Sequence, residues 1–251
     1  MYIHEIDVHN TTAAERVVPK ILKLFSPNSV LDVGCGIGTW LTVFKKHGVM
    51  KIKGIDGDYV NRNQLFLNIK KDEFIGYDLS TPFTLNEHYD LLICLEVAEH
   101  LPPNSAKGFI ESLCHHSDVI IFGAAVPGQW GQNHLNEQWA EYWIGLFEEK
   151  GYIFTDAIRP QIWQDDYVEW WYKQNILIFT RNPISFDLNQ KKYHSIIHPQ
   201  HFKQKMEYID HQNQMIGTFK TKIIKWEEGD MGIRKHWNTF LKAVKKKILH
   251  I

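Results

Sequence analysis

The sequence predicts an α/β protein: a mainly parallel sheet with helices on both faces, followed by a helical appendage. Three observations predict it. Short apolar runs alternate with longer stretches of helical periodicity, the pattern of strands joined by crossover helices. The first run, residues 30–40 (VLDVGCGIGTW), passes from an apolar strand through three alternate glycines into a helix-like segment. Gly34, Gly36 and Gly38 let the backbone turn sharply and approach a ligand with no Cβ in the way, and a helix starting near Gly38 offers free N–H groups there. Beyond residues 181–183 (RNP) the chain turns rich in Lys, His, Gln and Asn with scattered apolar residues. The expected organisation is therefore a domain at 1–181 and a helical extension at 182–251.

An opening helix is expected over 12–25, with Thr11 or Thr12 as its cap and 26–28 (SPN) as the break after it. Strands are expected near 29–33, 51–56, 73–77, 89–95, 118–124, 152–158 and 175–180, and helices near 38–47, 59–68, 104–115 and 136–149. In the extension, segments 199–227 and 232–249 read as helices. Its end, 242–249 (KAVKKKIL), is basic and amphipathic. That pattern fits a solvated helix end or a peripheral contact with anionic lipid or an acidic partner. There is no internal repeat and no low-complexity segment.

The chain has 251 residues, 44% of them hydrophobic and 23% charged, ample for one packed domain plus an appendage. A formal net charge of −1 argues against general nucleic-acid binding. Cys35, Cys94 and Cys114 have no metal-like spacing and read as free thiols in a reducing cytoplasm. Residues 1–5 (MYIHE) lack a basic region followed by an apolar core, and no apolar run nears the ~20 residues of a membrane helix. A cytoplasmic protein, neither exported nor membrane-spanning, is expected, with its oligomeric state left open.

Asp56 closes the run 51–56 (KIKGID) about 20 positions after the glycines, where an acid can take a ribose diol; the spacing alone would serve NAD equally. Asp32 with the glycines, then 54–56 (GID), 76–79 (GYDL) and 89–96 (YDLLICLE), resembles in order the four motifs of class I S-adenosylmethionine-dependent methyltransferases, over roughly residues 10–181. The resemblance implies a Rossmann-like seven-stranded sheet, mainly parallel with an antiparallel last strand, here the closing pair 151–154 and 175–179. It implies S-adenosylmethionine as cofactor, with Asp32 and the 34–38 loop on the methionine part, Asp56 on the ribose, and Asp78 with Leu79 on the adenine. Cys35, Trp40, Gly57 and Leu95 complete the implied cofactor set. A nucleotide-binding oxidoreductase is disfavoured by the antiparallel last strand and by Asp78 and Leu79. An inactive scaffold is disfavoured because no cofactor residue is damaged.

After the fourth strand comes 96–102 (EVAEHLP). On one helical turn Glu96, Glu99 and His100 would share a face, and two carboxylates with an imidazole suit Mg2+ or Mn2+. The Glu-x-x-Glu-His sequence resembles that of the ubiquinone-pathway O-methyltransferases and the small-RNA 3′-end 2′-O-methyltransferases, where the three residues bind a catalytic metal. The RNA enzymes add a histidine after the fifth strand, which His134 in 134–139 (HLNEQW) would match. Without a metal, Glu96 would touch the cofactor, His100 would cap a helix, or His100 or His134 would act as general base.

The acceptor pocket is expected from 126–134 (VPGQWGQNH) and 162–172 (IWQDDYVEWWY), with Trp130, Gln132, Asn133, Trp163 and Trp170 lining it. Flat aromatic faces beside amides suit a sugar ring; the alternative is that these aromatics form the insert's own small core. Residues 133–139 and 172–175 also resemble bacterial methyltransferases encoded with surface-polysaccharide or capsule synthesis. The expected acceptor is a small molecule or glycan precursor, methylated on a hydroxyl, phosphate or phosphoramidate, with a phenolic quinol or an RNA 3′ end as alternatives. Nothing resembles the Asn-Pro-Pro-Tyr motif of amino-group methyltransferases acting on nucleic acid.

Overall fold

The computed structural model describes residues 10–184, 196–230 and 232–248; the readings of residues 1–5 and of Leu249 lie outside them. The apolar runs form seven strands: β1 (Ser29–Val33), β2 (Lys51–Asp56), β3 (Phe74–Gly76), β4 (Leu91–Leu95), β5 (Val119–Gly123), β6 (Ile153–Thr155) and β7 (Leu177–Thr180). β4 and β7 are buried at every position, as expected of central strands covered on both faces. The sheet order is β3-β2-β1-β4-β5-β7-β6, with β7 antiparallel to both neighbours and the other pairings parallel.

Helices α1 (Thr12–Phe25), α2 (Thr39–Lys46), α3 (Arg62–Asn68), α4 (Ala106–His116), α5 (Ala140–Glu148), α6 (Arg159–Ile162) and α7 (Trp170–Asn175) flank the sheet. Two apolar clusters fill its faces. One gathers Val17, Ile21, Leu41 and Phe44 against Val30 and Ile93; the other gathers Phe109, Leu113, Trp143 and Phe147 against Leu31, Leu92 and Phe122. Alternate residues of β1 and β4 thus point to opposite cores.

Three expectations are corrected. The α1 cap is the Asn10 side chain, which accepts from Thr12 N–H at 2.8 Å, whereas Thr11 makes no side-chain cap. α5 starts at Ala140 and not near 136, because the backbone ahead of it is a strap: Leu135 and Asn136 N–H donate to Glu99 carbonyl and Gln138 N–H to Ala125 carbonyl. Residues 96–100 form no α-helical turn. Glu96 sits at φ 56° in the left-handed region, and only residues 98–100 wind, as a 3-10 turn.

The chain divides into two units, Met1–His198 and Pro199–Ile251. The first reaches beyond residue 181, because His198 N–H donates to Gln174 Oε1 at 2.9 Å and its ring packs on Trp163 at 4.5 Å. The second holds α8 (Pro199–Glu227) and α9 (Ile233–Ile248). No helix among the described residues is long and apolar enough to cross a membrane.

Candidate active site

The chain runs outward from β1 through β2 to β3, then returns to lay β4 on the other side of β1. The order therefore reverses between β1 and β4, and the crevice beyond their carboxyl ends is where open α/β sheets place ligands. Two loops meet there: 34–38 after β1 and 96–100 after β4.

The first loop is built by its glycines. Gly34, Gly36 and Gly38 have φ of 82°, 50° and 79°, where a side chain is strained. A Cβ on Gly34 would also run into Val97 Cγ2. Asp56 anchors the loop from β2: its Oδ2 accepts from Gly36 N–H at 2.7 Å, and its Oδ1 from Gly57 N–H at 2.6 Å and Tyr59 Oη–H at 2.7 Å. Burial nevertheless holds the Asp56 carboxyl above its ordinary range, outweighing these three donors. Asp32 is also buried, and its Oδ2 meets no donor among the described residues. Burial and then the nearby Asp56 charge push the Asp32 carboxyl well up. Two buried acids lie close enough for one to raise the other, a cost that a nearby positive charge would offset.

Cys35 and Trp40 are buried against this loop, Gly57 lies under the Tyr59 ring, and Leu79 and Leu95 are buried. Asp78 is exposed, with its Oδ1 accepting from Ser80 N–H and Oγ–H at 3.0 and 2.7 Å; these donors hold its pKa below the ordinary value.

The second loop brings Glu99, His100 and His134 together, with one ligand atom from each lying within 4.8 Å of the others. Glu99 is fully buried, and neither carboxylate oxygen finds a donor of ordinary hydrogen-bond geometry among the described residues. Its carboxyl is pushed well up by burial and then by Glu96. Burial, with His134 close by, lowers the His100 pKa to about 4, so the ring is neutral at pH 7. The His100 and His134 rings meet edge to face at 4.9 Å.

Glu96, expected to share their face, lies against Glu99 but outside the cluster of three. Its carboxylate accepts from Asn175 Nδ2 and Gln129 Nε2, each at 2.9 Å, and burial pushes its pKa up to about 7. Behind it lies a buried amide network: Gln129 Oε1 also accepts from Asn175 Nδ2 at 3.0 Å and Gln174 Nε2 at 3.2 Å. The loop after β5 therefore meets residues 174 and 175, just beyond the 162–172 insert, through carboxamides rather than tryptophans.

Sequence reasoning missed Gln174 and Asn175 because their neighbours across the network lie 45 to 79 positions away. It also missed Glu137, for which a signal existed at three residues from His134. Glu137 accepts from His134 Nδ1–H at 2.8 Å and from Gly128 and Trp130 N–H at 2.7 Å each. One carboxylate thus folds the 128–137 loop and fixes which imidazole nitrogen faces outward.

Of the expected acceptor residues, Trp130, Gln132 and Asn133 lie exposed on this loop, with Trp130 and Asn133 at φ 59°. Trp163 packs on His198 and Trp170 on Trp171. Tyr172 from the same insert packs edge-on against Trp40 at 5.3 Å, and its hydroxyl is pushed up by burial and by the Glu96 charge. Three of the four non-glycine residues at positive φ among those described, Glu96, Trp130 and Asn133, sit in the 96–100 and 128–137 loops. Each such conformation costs roughly 1–3 kcal/mol, and strain of this kind gathers at functional sites.

The reversal point, glycine loop and acid on the next strand define a class I methyltransferase site on a Rossmann-like sheet. A family model described as a methyltransferase domain matches residues 4–175, and the chain belongs to that family; it is an S-adenosylmethionine-dependent methyltransferase. Among solved structures, the methyltransferase domain of bacterial CtHen1-C is 18% identical with a TM-score of 0.52, over 68% of this chain and 98% of that one. The sugar N-methyltransferase KedS8 from Streptoalloteichus is 14% identical with a TM-score of 0.54, over 73% of this chain and 96% of that one. CalS10, an amino pentose methyltransferase from Micromonospora echinaspora, is 13% identical with a TM-score of 0.53, over 72% and 98%. At these identities the likeness is one of fold. No curated protein matches the chain.

Proposed function

We propose that this chain methylates an oxygen of a sugar or glycan precursor, with a divalent cation held by Glu99, His100 and His134. The observation that carries the reading is Glu99: a fully buried carboxylate without a donor of ordinary geometry, facing two imidazoles within 4.8 Å. A buried acid left unpaired costs several kcal/mol, which a bound cation would offset. One carboxylate and two imidazoles favour Mn2+ over Mg2+.

The chain's residues divide the work. Asp32 and Asp56 suit the sulfonium-bearing donor, whose positive charge relieves their mutual repulsion. His100, kept neutral by burial, has a lone pair to give. Glu137 takes the His134 Nδ1–H and so leaves Nε2 as the donor atom. The amide network holds Glu96 and, through it, the start of the 96–100 loop. A cation bound there would lower the acceptor hydroxyl's pKa. Transfer then breaks the methyl carbon–sulfur bond and forms a carbon–oxygen bond while the hydroxyl proton departs to solvent. In-line positioning supplies most of the rate, because a sulfonium is already a strong methyl donor. The sugar assignment draws on the exposed Trp130, Gln132 and Asn133 beside His134, and on two structural neighbours, a sugar N-methyltransferase and an amino pentose methyltransferase.

The test is methyl transfer by chelator-treated protein, with and without Mn2+ or Mg2+, against sugar nucleotides, phosphorylated glycan precursors, quinols and RNA 3′ ends, read as a mass gain of about 14 Da. Activity lost on chelation and restored by Mn2+, with product from a sugar acceptor, is the expected result. Full activity after chelation removes the metal. Product from quinol or RNA alone removes the sugar.

A further inference from the structure

The helix α9 separates apolar from basic residues along its length. Its exposed apolar residues are Ile233 (88% exposed), Trp237 (59%), Phe240 (57%) and Leu241 (45%), with Val244 half-exposed beside them. At 100° per residue these five fall within one stripe about 100° wide. The opposite side carries Lys235, Lys242 and Lys246, with Lys245 on the flank and Arg234 and Lys247 at the stripe's two edges. The helix has no acidic residue, although the whole chain has a formal net charge of −1. Positive charge has thus been gathered onto a single 16-residue element.

We propose that α9 lies in the plane of an anionic membrane surface, its apolar stripe entering the headgroup region and its lysines meeting the lipid phosphates. Charge complementarity selects this occupant. Two copies of the helix would bring basic flanks together and repel, since no acidic residue is present to pair with them. A nucleic acid would satisfy the lysines and leave Trp237 and Phe240 in water. An anionic lipid surface takes both faces at once, and tryptophan with phenylalanine at its boundary is the usual apolar content of interfacial helices. At 16 residues the helix is too short, and too charged, to span. The inference concerns where the enzyme works and does not depend on which acceptor it methylates.

The experiment is flotation of the full-length protein with vesicles of phosphatidylcholine alone or containing about one-third phosphatidylglycerol, at about 0.1 M salt. The protein should float with the anionic vesicles, remain behind with the neutral ones, and be released as salt is raised. The Lys242→Gln, Lys245→Gln and Lys246→Gln triple variant should partition about a hundredfold more weakly, at about fivefold per lysine. Trp237→Ser with Phe240→Ser should also lose binding, while the melting temperature of the methyltransferase unit stays unchanged in both variants. Failure to float with anionic vesicles overturns the proposal, as does undiminished binding by either variant. A concentration-dependent dimer that Phe240→Ser abolishes, in a protein that ignores vesicles, would assign the stripe to a second copy. Retention on polyuridylate without vesicle binding would assign the lysines to nucleic acid.

Discussion

Asp56→Ala tests the cofactor site where it is most tightly built. The wild-type carboxylate accepts three hydrogen bonds, from Gly36 N–H, Gly57 N–H and Tyr59 Oη–H. Hydrogen bonds to a charged group contribute about 1.5–3 kcal/mol each, so their simple sum is roughly 4–9 kcal/mol. That sum overstates the loss. Burial already holds the Asp56 pKa above its ordinary value, which means desolvation outweighs the three donors, and removing Asp56 also relieves the repulsion that raises Asp32. A net loss of about 2–4 kcal/mol remains, or roughly 4–16 °C in melting temperature for a unit of this size. Affinity for S-adenosylmethionine should fall at least tenfold, because the glycine loop loses its anchor. Tyr59→Phe removes one donor and leaves both loop amides anchored. It should cost under about 1 kcal/mol and leave affinity equal or higher, since it frees an Oδ1 lone pair for a ribose hydroxyl. Thermal melts beside titration calorimetry on both variants measure this. An Asp56→Ala protein that melts and binds like wild type, or a Tyr59→Phe protein that loses as much affinity, would refute the reasoning.

Three further outcomes are expected. Gly34→Ala should destabilise by about 2–4 kcal/mol, from positive φ and the collision with Val97, and Val97→Ala should restore only the steric part in the double variant, read by denaturant melts. In chelator-treated protein two of the perturbed groups should contribute opposite pH slopes. His100, lowered to about 4, loses stability as pH falls from about 6.5 to 4, and Glu96, raised to about 7, loses it as pH rises from about 4.5 to 7. Relative to wild type, Glu96→Gln should therefore reduce the loss at rising pH, with Glu99 keeping its own share of it, and His100→Asn should reduce the loss at falling pH, each by about 1–3 kcal/mol; identical profiles in both variants would exclude it. Alanine at Trp130 should raise the acceptor's KM with an unchanged melting temperature, whereas alanine at Trp163, packed on His198, should lower the melting temperature with KM unchanged. The reverse pattern would move the acceptor pocket to the insert.

What the sequence determined by itself was everything encoded over short spans. The seven strands, α1 and the alternation of layers rest on apolar period and on breakers such as 26–28 (SPN). The glycine loop is legible because positive φ at alternate positions admits little else, and Asp56 because it ends the adjacent parallel strand. Tertiary structure decided what depends on groups far apart in the chain. Glu96 reads as a partner of Glu99 and His100 on helical spacing, but its left-handed backbone and the donors Gln129 and Asn175 turn it into an amide cradle. Residues 135–138 look like the start of a helix until their N–H groups are claimed by the carbonyls of Glu99 and Ala125. His100 has its pKa lowered by burial and by the nearby His134, both properties of the packed fold that no local pattern carries. Local periodicity sets which elements form; the direction a side chain faces in a loop is set by whichever donors the rest of the fold brings to it.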